Sequence, residues 1–374
     1  MSKFLYGTFI IVLFLFTTNL KAKNDSLWNK KPSLVLSGFL DIYYVYDFNK
    51  PKGNSRQTFL YNHNRHNEFN LNLGLIKLGL ENSKYRANLA LQTGTYTNDN
   101  YAEEPAALKS IFEANVGISL NKKNNFWLDA GILPSYIGFE SAISADNLTL
   151  TRSLLAENSP YFLSGAKLSY SPSAKWNIAT LVVNGWQRIK RLKGNTAPSF
   201  GTQFNFSPTN KTSLNWNTFI GTDDPDASRR VRYFNNFFGV VKVSKKINLI
   251  AAFDIGAQQK AKNSDAYTMW MSPIFIMQYA FTDVWKISIR AEYYQDEKGV
   301  IISPATPNGF QTVGASVNVD YSPNKNIVCR LEGRYLNSKD HIFEHYPKPS
   351  NSNFIIAASI AIKFEDIISP IKNN

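Results

Sequence analysis

Four charged side chains, Glu140, Asp146, Arg152 and Glu157, fall within one connection, residues 131–161 (GILPSYIGFESAISADNLTLTRSLLAENSPY), the longest in the chain. A loop of that length in a compact domain usually carries function. Charges of both signs on one loop suit a narrow aqueous passage, because a low-dielectric wall focuses their field on whatever passes. We therefore expect this loop to fold inward and form a pore constriction, with Asp146 capping a short helix that runs through Ala156. A second set, Asp129, Lys167, Asp254, Arg290, Glu292, Arg330, Glu332 and Arg334, sits at alternating positions inside apolar segments, where a charge is tolerated if its face looks into water. Asp129, Arg290, Arg330 and Arg334 are the favoured lumen-lining residues, since they lie beside strand cores rather than at turn ends. In a wide pore such charges would be diluted within a Debye length of about 8 Å.

Catalytic chemistry finds little support. The sequence has no G-x-S-x-G elbow, no H-E-x-x-H, no phosphate-binding loop and no dinucleotide fingerprint. No catalytic residue, metal site or cofactor is expected. The histidines His63, His66, His341 and His345 read as residues of surface loops. Asp223, Asp224 and Asp226 around Pro225 read as a solvated turn, since Ca²⁺ needs six to eight oxygens and this run offers few. The single Cys329 cannot form an internal disulfide and reads as a small lipid-facing side chain.

The elements that would position these residues repeat one unit, an alternating segment of about 10 residues followed by a turn. Val313, Ala315, Val317 and Val319 make one face apolar, while Thr312, Ser316, Asn318 and Asp320 make the other polar. Candidate strands begin near Ser33, Glu68, Tyr85, Lys109, Phe126, Tyr161, Lys175, Ser199, Thr212, Val231, Ile247, Tyr267, Trp285, Phe310, Ile327 and Phe354. Short turns alternate with longer polar connections, the pattern of an all-β transmembrane antiparallel up-and-down barrel of about 16 strands with both ends on the periplasmic side. Aromatics gather beside the short turns (Tyr170, Trp176, Phe281, Trp285, Tyr321) and the long loops (Tyr43 to Phe48, Trp186, Tyr233, Tyr293, Tyr294, Tyr335), as two membrane interfaces require. Pro273 resists the scheme: a closed barrel has no edge to hide it, so either a bulge occurs there or its strand starts at Ile274.

Residues 1–22 have a Lys near the start, an apolar run and a small-residue exit, the layout of a secretory signal. Residues 23–32 then form a periplasmic lead, 33–364 the barrel with its inward loop 133–160, and 365–374 a tail. Removing Lys3 and Lys21 lowers Lys plus Arg from 41 to 39 against 28 acids, a balance of +11. The basic residues are scattered rather than gathered on a helix, which speaks against nucleic acid as a partner. They suit anionic lipid head groups, lipopolysaccharide included, or a mild anion preference in a pore.

The segments SGFLDIYYVYDFNKP (37–51), 131–161 and NWNTFIGTDDPD (215–226) resemble the outer-membrane β-barrel porins of the OmpL-like, porin-2 type, over nearly the whole mature chain. The most specific part is DNLTLTRSLLAENSPY, 146–161. The resemblance implies a porin-like protein of the Gram-negative outer membrane; the barrel and its inward loop read as a passive diffusion channel for small hydrophilic solutes, and a homotrimer is expected by analogy with other sixteen-stranded porins. The tail after Phe364 departs from the usual aromatic C-terminus of such barrels. The rival reading is a barrel used as a surface receptor or adhesin through its long loops, residues 49–67 and 337–353 among them.

Overall fold

A computed structural model describes Trp28 and residues 30–368. The signal-like residues 1–22 and the chain after Ile368 lie outside the described residues. Sixteen strands follow in chain order: β1 Ser33–Asp47, β2 Phe69–Glu81, β3 Tyr85–Thr93, β4 Ile111–Ser119, β5 Phe126–Pro134, β6 Phe162–Ser173, β7 Trp176–Val183, β8 Ser199–Thr209, β9 Thr212–Gly221, β10 Arg232–Lys242, β11 Ile247–Gln259, β12 Tyr267–Ala280, β13 Trp285–Asp296, β14 Phe310–Asn324, β15 Ile327–Ser338 and β16 Ser352–Ile368. Each pairs antiparallel with its sequence neighbours, and β1 pairs with β16, so the sheet closes on itself as an up-and-down barrel. Strand starts fall within two residues of those expected from alternation.

Burial runs opposite to that of a water-soluble protein. On β13 Ile289 is exposed while Arg290 is buried, and on β15 Leu331 is exposed while Arg330 and Glu332 are buried. A wall that turns Ile, Leu, Val and Trp outward all round is stable only with lipid against it. No helix among the described residues is long and apolar enough to cross a membrane. The crossing falls to the strands, whose backbone polar groups are satisfied by closure.

Exposed aromatics flank the short turns, with Trp176 stacked on Phe206 at 4.4 Å and Trp285 against Tyr321 at 4.7 Å between ring centroids. Phe48, Tyr233, Tyr267 and Tyr335 are exposed towards the other end. Tyr43 and Tyr294, which were expected in that outer girdle, instead point into the barrel and are buried. The reason is strand parity: Tyr43 shares its face with Asp41 and Val45, both buried, and Tyr294 shares its face with Arg290 and Glu292.

Pro273 lies inside β12, so neither expectation for it holds. The strand starts at Tyr267, and the pairing with β13 keeps the same register on both sides of the proline, Met271 opposite Gln295 and Ile274 opposite Glu292, so no bulge is present. The missing N–H is offset locally: Ser272 Oγ donates to the carbonyl of Tyr293, the residue opposite Pro273, at 2.7 Å. The barrel also runs past Phe364. Ile367 and Ile368 still pair with Val35 and Leu34, so the first described residues of the supposed tail complete the last strand.

Candidate pore and constriction loop

The connection from β5 to β6, residues 135–161, packs across the inner wall rather than projecting outward. Its stretch from Thr149 to Glu157 is almost fully buried. The wall that receives it is built by alternation on β13, β14 and β15, which present Arg290, Glu292, Asn318, Arg330, Glu332 and Arg334 inward. An irregular buried segment leaves backbone amides and carbonyls unpaired, and each such group costs about 1–3 kcal/mol if left so. The wall charges meet that need one by one.

Arg290 donates from Nη1 to the Thr151 carbonyl at 2.6 Å and to Thr149 Oγ1 at 3.1 Å. Its Nη2 donates to Thr151 Oγ1 at 2.9 Å and to Glu332 at 2.8 Å. Glu332 accepts the Thr151 amide at 2.6 Å, Glu292 the Leu154 amide at 2.6 Å, and Asn318 Oδ1 the Leu150 amide at 3.1 Å. Arg330 donates to the carbonyls of Ser144 (2.6 Å), Asn147 (2.7 Å) and Thr149 (3.1 Å) and pairs with Asp320 at 3.1 Å. Arg334 pairs with Glu292 at 2.7 Å. All three arginines face the interior, where Arg290 and Arg330 anchor the loop directly and Arg334 holds Glu292, which accepts the Leu154 amide. Asp129 sits on the opposite wall, held by both ends of Arg86 at 2.7 and 2.6 Å. Lys167 pairs across from Asp129 in the β5–β6 register, and Asp254 accepts from Asn236 at 2.6 Å.

The loop's own charges divide between internal ties and contacts with other elements. Glu140 accepts the Ser153 amide at 3.0 Å and the Ser153 hydroxyl. Arg152 donates to the Ala142 carbonyl at 2.6 Å. The helix in this loop, α1 Leu154–Glu157, is a single turn capped by Ser153 Oγ, which accepts the Ala156 amide at 3.1 Å. Asp146 therefore is not its cap. It closes a 3₁₀ turn, Ser144–Asp146, and pairs with Lys363 of β16. Residues 147–151 bend along the wall, where Thr149 and Thr151 are bonded to Arg290, and the helix starts only after the extended Ser153. Tyr136 crosses to the far wall, where bare Gly201 leaves room for its ring and its hydroxyl donates to the Thr218 carbonyl at 2.6 Å.

Glu157 reaches the first outer loop, residues 48–68, and accepts the amides of Tyr61 (2.9 Å) and Asn62 (3.3 Å) and the Asn62 side chain (2.9 Å). Burial pushes its carboxyl up to about 7, against the opposing pull of these hydrogen bonds and of Arg152 and Arg334. The first outer loop enters the lumen as well, contrary to its reading as surface. His63 is fully buried with Nε2 2.9 Å from Asp41, the same carboxylate that accepts Ser144 Oγ at 2.7 Å, so Asp41 ties both loops together. His66 Nδ1 accepts the Asp47 amide at 2.9 Å.

Sequence reasoning missed a further feature of this loop. Phe59 and Leu60 join inward residues of eight strands, among them Phe219, Phe234, Trp270 and Tyr294, in an apolar cluster that also takes Ile302 and Phe343 from later loops. An adjacent Phe-Leu pair in an otherwise polar connection was the available signal. The aspartates of 223–226 form a surface turn tied by ion pairs: Asp224 pairs with Arg230, the half-exposed Asp226 with Arg229, and Asp223 accepts the Trp186 amide at 2.9 Å. Hydrogen bonds from Thr196 and Arg229 hold Asp226 down at about 2. Among the described residues no group of three or more His, Cys, Asp or Glu has the arrangement of a metal site.

Two cavities flank the docked loop. An outer one of ≈330 Å³ is lined by Tyr61, Glu157, Asn158, Trp186 and Arg232, with Arg232 lying over the Trp186 ring at 5.1 Å. An inner one of ≈510 Å³ is lined by Lys77, Glu113, Glu140, Ala156 and Tyr161. Ser159 lines both.

Several solved barrels share this architecture. An anion-selective porin from Comamonas acidovorans superimposes with a TM-score of 0.60 at 11% identity, covering 89% of this chain and 100% of its own. The outer membrane channel DcaP of Acinetobacter baumannii gives 0.59 at 10% identity, covering 89% and 98%. The trimer form of OmpT, an outer membrane protein of Vibrio cholerae, gives 0.58 at 7% identity, covering 90% and 100%. No curated relative matches the chain. The family model for beta-barrel porin-2, OmpL-like, matches residues 33–364, the whole barrel but its last turn of strand, and the chain belongs to that outer-membrane porin family.

Proposed function

We propose that the protein is a passive diffusion channel for small hydrophilic solutes, narrowed by loop 135–161, in which Glu140, Asp146, Arg152 and Glu157 shape the constriction. The observation that carries this reading is Ser159, the one loop residue common to the outer and inner cavities, beside Glu157 and Asn158. Lipid on the outer wall and lipopolysaccharide at the rim are its expected surroundings. A homotrimer is the expected assembly, by analogy with the trimeric Vibrio cholerae barrel. The overall charge balance by itself favours anions mildly. Proteoliposomes carrying the folded protein are expected to swell in an isotonic pentose and to stay unchanged in a trisaccharide. Failure to swell in either would remove diffusion as the function.

A second reading is favoured by the apolar packing of Phe59, Leu60, Ile302 and Phe343 into the outer half of the lumen. In it the barrel is a closed scaffold whose outer loops bind a surface partner, and the same liposomes stay silent.

The Glu157 carboxyl makes loop docking depend on pH. A carboxyl raised by burial favours the docked state in its neutral form, so its contribution is complete below about 4.5 and is lost as pH rises through about 7. Arg152, Arg334, Arg56 and Arg290 oppose this shift, and Tyr61 lies beside it. Conductance traces are expected to become quieter as pH falls from about 8 to about 5, with Glu157→Gln quiet throughout. Equal noise in the wild type at both ends of the range would contradict this assignment.

A further inference from the structure

We infer that the path through the barrel selects cations over anions, opposite to the sign suggested by the chain's net charge. The inference rests on the channel reading above and names the class of ion that the same path prefers. The surplus of base belongs to the chain as a whole, whereas a permeating ion feels charges within roughly a Debye length of its path. The walls of that path carry the other sign.

On the outer side the cavity presents Asp99, Glu103, Glu104, Glu157 and Asp223, five acids, against Arg188 and Arg232. Both arginines are already engaged, Arg188 with Glu103 at 3.7 Å and Arg232 with Asp223 at 3.9 Å, and Asp99 is held by Arg65 at 3.0 Å, which leaves Glu104 and Glu157 as the acids in excess. On the inner side Glu81, Glu113, Glu140 and Glu365 face a single base, Lys77, which pairs with Glu113 at 2.7 Å. The surplus on both sides of Ser159 is therefore acidic. A second observation adds to that charge. Glu140 Oε1 has no hydrogen-bond donor, although Oε2 of the same carboxylate receives two from Ser153, so the loop leaves one side of this carboxylate unneutralised beside the inner cavity. A third cavity, at the short-turn end, shares no lining residue with the outer one and is nearly balanced, with Asp146, Asp283 and Asp320 against Lys286, Lys325, Arg330 and Lys363. These bases lie at the short-turn end, past the acidic inner cavity, which reaches them through a space lined by Ser37, Leu75, Ile143, Lys325, Lys363 and Glu365.

The test uses the purified mature protein in a planar bilayer under a tenfold KCl gradient at pH 8, where Glu157 is mostly ionised. The expected zero-current voltage corresponds to a potassium-to-chloride permeability ratio above roughly 3. In the triple variant Glu81→Gln, Glu103→Gln, Glu365→Gln the ratio is expected to fall towards 1. All three side chains are exposed, so the barrel is expected to fold as before. A ratio at or below 1 in the wild type, or a ratio unmoved in the triple variant, overturns the cation inference and leaves the channel standing. Absence of conductance from protein shown to be folded removes the channel reading itself.

Discussion

A chain lacking residues 141–157 is expected to conduct at least about threefold more than the intact protein in the same bilayer, with the barrel still folded. The deleted stretch supplies the buried residues from Thr149 to Glu157 that fill the lumen against β13 to β15. Removing it merges the outer and inner cavities, which now lie on either side of Ser159. The wall left behind remains paired within itself, Arg290 with Glu332 at 2.8 Å and Arg334 with Glu292 at 2.7 Å, and water admitted to the lumen solvates what the loop had bonded. The sixteen ladders are untouched, so heat-modifiable mobility on gels should persist. Unchanged conductance from such a barrel would assign the obstruction to the first outer loop and its Phe59 and Leu60, and would remove loop 135–161 as the constriction.

Replacing Arg290 with Ala is expected to release the loop without deleting it. The guanidinium makes three hydrogen bonds to Thr149 and Thr151 and pairs with Glu332, all of it buried. Breaking a buried pair by removing one partner costs about 3–5 kcal/mol, since the remaining charge stays uncompensated. If most of that falls on docking, the undocked population rises by roughly two to three orders of magnitude. The measurement is tryptic cleavage after Arg152, which is fully buried in the docked loop. The wild type should resist and Arg290→Ala should be cut there. Arg86→Ala is the control: its partner Asp129 lies on the opposite wall, so the loop should stay protected. Equal protection in Arg290→Ala and the wild type would show that the loop is held chiefly by Arg330 and the apolar contacts.

The sequence by itself determined the barrel. Side-chain alternation has a period of two, so each strand's facing is fixed by parity once lipid lies outside, and Arg290, Arg330 and Arg334 were legible as inward residues for that reason. The inward entry of residues 135–161 was an expectation drawn from loop length. Its partners were not legible, because Thr151 meets Glu332 across 181 residues of sequence and nothing local encodes that meeting. Tertiary structure likewise decided that His63 lies on Asp41, that Ser153 and not Asp146 caps α1, and that Ser272 serves the carbonyl opposite Pro273. Each depends on a polar group finding a distant or cross-strand partner once water is excluded, a demand that exists only in the folded barrel. Charge divides in the same way: composition determines its sum, while closure of the barrel decides which charges face the path.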